Sequence, residues 1–263
     1  MATAPQPVTS MPPLPVRERM LVLAELGGLT ILAWLYLVRM PMTASDLGGV
    51  VARLMAPMPT EWVDAWLTFM MWAVMMVAMM LPSASPMILM YARIARGREH
   101  ASARCTWLFA LGYVVVWTAF SAAATAGQFA LQHASIISNS SIATPIAGAA
   151  ILIATGIYQL TPLKQACLGH CQSPVAFFMT RWRDGALGAL RLGVEHGALC
   201  VGCCWMLMAL LFVAGVMNLA WVAAISAFVL LEKLTPYPRA MANIAGALLI
   251  IGGVILGMRS VIS

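Results

Sequence analysis

Long apolar runs separated by short polar segments set the pattern of this chain. Seven stretches are apolar over roughly the 20 residues a membrane-crossing helix needs. They fall near 20–39, 63–90, 105–131, 142–161, 187–214, 218–234 and 240–258. The predicted fold class is therefore all-α, a polytopic membrane bundle of about seven transmembrane helices. The second stretch carries Pro82 and Pro86, which predict a kink or break near its end. The sixth is short and closes on Glu232-Lys233. No internal repeat recurs at a fixed period.

Ahead of the first apolar run, the first sixteen residues hold five prolines and no helical periodicity. Residues 1–17 are expected to form a disordered tail. Residues 18–263 then form one helical domain, with a Cys/His loop at about 162–186. Arg17 and Arg19 precede the first run, but no small-x-small cleavage site follows it, so the run is expected to stay as a helix.

Composition agrees with this picture. The chain is 62% hydrophobic and 9% charged, with a mean hydropathy of +0.89, whereas a soluble domain carries about 25% charged residues. The basic residues also give a direction. With the N-terminus inside, 12 of the 15 Lys and Arg fall on inner segments, leaving only Arg39, Arg53 and Arg259 outside. That asymmetry predicts an inside N-terminus, an outside C-terminus and an odd number of spans. The net charge of +6 is thus a topology signal. Nucleic acid is not an expected partner, because the arginines flank apolar runs and lack interleaved aromatics.

Candidate chemistry is concentrated in one stretch. Cys167-Leu-Gly-His170-Cys171 is followed by His196-x3-Cys200-x2-Cys203-Cys204. On a helix, His196, Cys200 and Cys203 fall within about 60° of one another, with Cys204 on the edge of that stripe. Cys167, His170 and Cys171 share one face if their segment is helical. Sulfur with imidazole is the donor set of zinc, monovalent copper or an iron–sulfur centre. Both groups fall toward the inner side, where cytosolic reductants disfavour a disulfide framework. The segment from Gln172 to Leu190, with Phe177, Phe178 and Trp182 beside Arg181 and Arg183, reads as an interfacial amphipathic stretch that lays the loop triad over the fifth span. One composite site or two neighbouring sites are both compatible with the spacing.

Eight of the 21 methionines lie between Met70 and Met90. Met71, Met75 and Met79 make one helical line, with Met76 and Met80 beside it. Taken alone, such a ladder reads as packing. Beside the Cys/His cluster it favours copper, since thioether suits monovalent copper and is a poor zinc ligand. Glu195 reads as an ion-pair partner of Arg191, with contact to a neighbouring helix or support of the metal ligands as alternatives. Tyr158, Gln159 and Lys164 lead into the cysteine segment and are placed to cap or orient it. Glu232-Lys233 reads as an interfacial anchor, and His100 and His133 as solvent-exposed loop residues. Gly112, Gly127, Gly148 and Gly156 suit close helix contacts.

Three stretches carry a family resemblance. They are Trp72-Ala-Val-Met-Met-Val-Ala-Met-Met-Leu-Pro-Ser-Ala-Ser-Pro-Met, Tyr158-Gln-Leu-Thr-Pro-Leu-Lys-Gln-Ala-Cys-Leu-Gly-His-Cys, and His196-Gly-Ala-Leu-Cys-Val-Gly-Cys-Cys-Trp-Met-Leu-Met. With Glu232-Lys233, the chain resembles an uncharacterised bacterial family of predicted metal-binding integral membrane proteins over roughly 65–255. The resemblance implies metal binding through Cys167, His170, Cys171, His196, Cys200, Cys203 and Cys204. Gly169 departs from it, standing where a basic residue is expected, which removes a charge but no ligand.

The resulting expectation is a bacterial inner-membrane protein that binds, delivers or transports monovalent copper, with zinc as the alternative metal. Its partners would be the lipid bilayer and a metallochaperone or copper enzyme. Two other readings compete. One is a membrane thiol–disulfide oxidoreductase using Cys200/Cys203 and Cys167/Cys171. The other is a non-catalytic subunit of a membrane complex with a structural metal.

Overall fold

The computed structural model describes residues 14–54, 60–96, 103–137 and 143–262. His100 and residues 1–13 of the expected tail lie outside them. The regular structure among the described residues is helical, with a single isolated bridge between Ile137 and Ala143. In chain order the helices are α1 (Val16–Leu54), α2 (Thr60–Arg96), α3 (Ala103–His133), α4 (Pro145–Leu160), α5 (Pro162–Gln172), α6 (Pro174–Arg181), α7 (Gly185–Ala209), α8 (Leu211–Ala214), α9 (Leu219–Leu234) and α10 (Pro238–Ile262).

Five segments are long and apolar enough to cross a membrane: Val16–Arg39, Trp62–Arg96, Arg104–His133, Gly185–Ala214 and Pro238–Ser260. The pair α4 and α5, bent by 64°, makes a sixth if it counts as one span. At 16 residues, α9 falls short of the same length. The bend has a local cause. Proline at 162 pushes the preceding residue out of the helical region, and Thr161 is extended at φ −72° and ψ 146°. Its hydroxyl then accepts from Lys164 N and restarts the chain as α5.

The segment expected as a loop, 162–186, is thus largely helical. Pro162 and Pro174 each sit in the first turn of a short helix, where a missing N–H costs nothing. A second difference concerns α2, which runs unbroken through Pro82 and Pro86. Each proline orphans the carbonyl four residues earlier. Here both carbonyls find another donor. Trp34 Nε1 of α1 donates to Ala78 O at 3.2 Å, and Ser85 Oγ donates to Pro82 O at 2.8 Å. Neighbouring carbonyls are served from other helices, Met79 O by Ser226 Oγ at 3.2 Å and Met80 O by Tyr113 Oη at 3.0 Å. The break is avoided because the bundle supplies what the proline removes.

Helix α2 packs between α1 and α3, α3 lies along α7, and α4 lies along α10, while α5 rests on α7. The α3–α7 crossing is the one that positions the site. A Cβ on Gly193 would stand 2.0 Å from Phe109 O, and one on Gly112 would stand 2.3 Å from Leu190 O. Only hydrogen fits, and the two backbones touch. Gly193→Ala is therefore expected to force α3 from α7 at a cost of about 1–3 kcal/mol. A lowered melting temperature in detergent would show it; unchanged melting would contradict so close a crossing. Gly148 and Gly156 also face neighbouring helices, whereas Gly127 has nothing within 4 Å and makes no such contact.

Candidate metal centre

Helix α7 brings His196, Cys200, Cys203 and Cys204 to one side, each no more than 1% exposed. The sulfurs of Cys200, Cys203 and Cys204 lie within 4.8 Å of one another. Local hydrogen bonds hold them there. The thiols of Cys203 and Cys204 both point back to Cys200 O, at 3.1 and 2.9 Å. A helix places residues three and four apart on one face, so the sequence spacing is enough to gather them.

Cys200 is also held from two other helices, α9 and α3. Lys233 Nζ of α9 donates to its sulfur at 3.0 Å and to Ser83 Oγ of α2 at 2.9 Å. Tyr113 Oη of α3 lies 3.2 Å from the same sulfur and also reaches Met80 O. Its hydroxyl donates to that carbonyl and its oxygen can accept from the Cys200 thiol.

His196 sits one helical turn before Cys200. Its ring stacks against Tyr113 and Phe109, with centroids 5.4 and 6.0 Å away, and meets the edge of Phe177 at 5.9 Å. Both ring nitrogens are buried without a hydrogen-bond partner. Buried polar atoms are rarely left so, and a nitrogen aimed at a metal is one of the few arrangements that explains it.

The remaining predicted donors are distributed around this core. Cys167 on α5 is half-buried, and its sulfur lies 3.0 Å from where a Gly202 Cβ would be, beside Cys203 in sequence. Cys171 is buried on α5. His170 is exposed, with Nδ1 bound to Ala166 O of its own helix at 2.8 Å. Among the described residues, only the three α7 thiols form a group whose donor atoms all lie within 4.8 Å. Met71, Met75, Met76, Met79 and Met80 are all buried in the core on α2. Through Tyr113, Met80 stands at the level of Cys200.

Several supporting residues have other roles than their sequence positions suggest. Glu232 and Lys233 are not an interfacial anchor: they are 1% and 8% exposed, inside the bundle. Glu232 Oε1 pairs with the fully buried Lys164 Nζ at 2.5 Å, and Lys164 also donates to Gln159 Oε1. Gln172 Nε2 donates to Glu232 O at 2.7 Å. Lys164 thus ties α4, α5 and α9 together. Glu195 takes Arg181 and Arg183 as partners, at 3.4 and 3.2 Å, in place of Arg191. His133 is exposed at the end of α3. Tyr113, Ser83 and Lys233 are the contacts that sequence reading missed. Glu232-Lys233 did stand within the family resemblance, the one signal that separated them from an ordinary anchor.

No curated protein and no solved structure matches the chain. A family described as copper chaperone, PpoB2, matches residues 69–256. That stretch holds α7 with all its donors, the Met-bearing part of α2, and the Lys233 arm of α9. It is more than half of the 263 residues, and the chain belongs to this copper chaperone family.

Proposed function

We propose that this protein is an integral membrane copper chaperone that holds monovalent copper between the α7 thiols and passes it to a copper enzyme. The observation that carries the reading is the buried group Cys200, Cys203 and Cys204, gathered within 4.8 Å, one turn from an imidazole with no hydrogen-bond partner. Soft sulfur donors suit monovalent copper. Burial shields that ion from oxygen and water. Copper is the cargo.

In this proposal seven helices span a bacterial inner membrane, with α9 as the short one and the N-terminus inside. The charge asymmetry of the Lys and Arg residues supports that orientation. The α5 face then lies on the inner side. Cys167, the half-buried sulfur, is the way in, and Cys171 and His170 flank it. From Cys200 the buried thioethers of Met80, Met79, Met76, Met75 and Met71 lead toward the outer side. A row of weak soft donors allows an ion to move where a single tight site would trap it.

Detergent-purified protein exposed to a cuprous donor is expected to retain about one copper ion per chain in preference to zinc. Retention of zinc with no copper would sink the proposal. A Cys167→Ser variant is expected to slow copper capture, timed by stopped-flow transfer from a cuprous donor, without lowering the amount bound at saturation. Gly202→Ala should slow it less, because its methyl moves the Cys167 sulfur without removing it. Capture at the wild-type rate in both variants would remove Cys167 from the path.

A further inference from the structure

We infer that the cleft between α1, α2 and α3 binds one aminophospholipid, with an acyl chain in its apolar groove, the phosphate on Arg104 and the amine on Glu25. The inference rests on the membrane reading of the helices and not on the metal.

Two cavities meet at Trp107, which lines both. One is an apolar groove of about 470 Å³ whose lining runs along α3 from Arg104 to Val114. Leu26, Leu81 and Ala110 are buried along it, while Leu29 and Leu111 are half-exposed, so it opens to the side of the bundle. Ten residues of helix rise about 15 Å, the depth of one leaflet in a hydrocarbon core about 30 Å thick. A groove of that length, with a basic residue at the start of α3, has the dimensions of an acyl chain below its headgroup.

The other cavity, of about 320 Å³, is polar, and Glu18, Glu25, Arg96 and Thr106 line it beside Trp107. Arg96 is matched by Glu18. Glu25 and Arg104 are exposed, and among the described residues neither has a side-chain partner. Glu25 stands more than two turns into the apolar span Val16–Arg39, where a carboxylate without a partner is costly. One charge of each sign thus flanks the same tryptophan. A simple anion would leave Glu25 unmatched, and a simple amine would leave Arg104 unmatched. A lipid carrying both a phosphate and an ammonium matches both, while its chain fills the groove. Arginine takes phosphate in a forked geometry, and indole rings gather where headgroups meet hydrocarbon.

The test uses the full chain in nanodiscs of equal parts phosphatidylethanolamine and phosphatidylglycerol, which share the phosphate and the chains but not the amine. Mass spectrometry of the protein released in mild detergent counts the lipid it retains. The wild type is expected to keep one lipid and to prefer phosphatidylethanolamine by about fivefold, the worth of one charge contact at a membrane surface. Glu25→Gln should erase the preference and still keep a lipid. Arg104→Gln should lower retention of both lipids by about the same factor. Both side chains are exposed, so neither change disturbs the packed interior. Soluble phosphoethanolamine, which carries both charges and no chain, should leave the bound lipid in place. No retained lipid, equal retention of the two lipids by the wild type, variants that behave as wild type, or displacement by phosphoethanolamine overturns the inference. Those results leave the membrane reading standing. A chain that stays monodisperse without detergent or nanodisc overturns the membrane reading, and the inference with it.

Discussion

Copper retention is expected to collapse when Cys200 and Cys203 are both replaced by serine. Serine keeps the size of each side chain, and at position 203 it keeps the hydrogen bond to Cys200 O that the thiol now makes. The helix should therefore survive the change. The soft donors do not, because a hydroxyl oxygen is a poor ligand for monovalent copper. Loss of a residue that merely supports a metal ligand already weakens binding by about 10–100-fold, so loss of two ligands should exceed the upper figure. Metal analysis after desalting should find copper near background. Cys105→Ser is the control: this buried cysteine lies on α3, outside the thiol group, and should leave copper content unchanged. Full copper retention in the double variant would show that the α7 thiols do not hold it.

The second large effect concerns stability. Lys164 and Glu232 form an ion pair at 0% and 1% side-chain exposure. Glu232→Leu leaves the ammonium of Lys164 enclosed with only Gln159 for company. Removing one partner from such a pair costs about 3–5 kcal/mol. For a chain of this size each kcal/mol moves the melting temperature by about 2–4 °C. A drop of roughly 10 °C in detergent is the expected reading. Lys164→Met combined with Glu232→Leu should recover most of it, since apolar replacement of both partners is close to neutral. A single variant that melts with the wild type would show that the pair is not enclosed. Copper binding should fall in the single variant as well, because Glu232 precedes Lys233 on α9 and Lys233 reaches Cys200.

Much of the site was legible because it lies within one helix. His196, Cys200, Cys203 and Cys204 are brought to one side by helical spacing alone, and the methionines of α2 form their buried stripe for the same reason. The bend after α4 was also writable from Thr161-Pro162, although the sequence reading took the following segment as a loop. The donors on α5 were harder. Spacing put Cys167, His170 and Cys171 on a shared face, but the face a short helix turns toward its neighbour depends on how it docks. Cys171 is buried, Cys167 settles over Gly202, and His170 folds back on the Ala166 carbonyl of its own helix.

Local order along this chain needed little beyond its neighbours in sequence: the apolar runs, the Thr-Pro helix starts and the thiol register on α7 all follow from the period of the α-helix and from which N–H groups proline lacks. Docking of the helices determined the rest. The path of α2 through two prolines depends on a tryptophan from α1, a tyrosine from α3 and a serine from α9 as well as its own Ser85. The burial of Glu232 and Lys233 depends on partners far away in sequence, Lys164, Ser83 and Cys200. A backbone turn is settled by residues three or four positions away. The free energy of a buried charge is settled by whichever helix crosses above it, and no local pattern records that crossing.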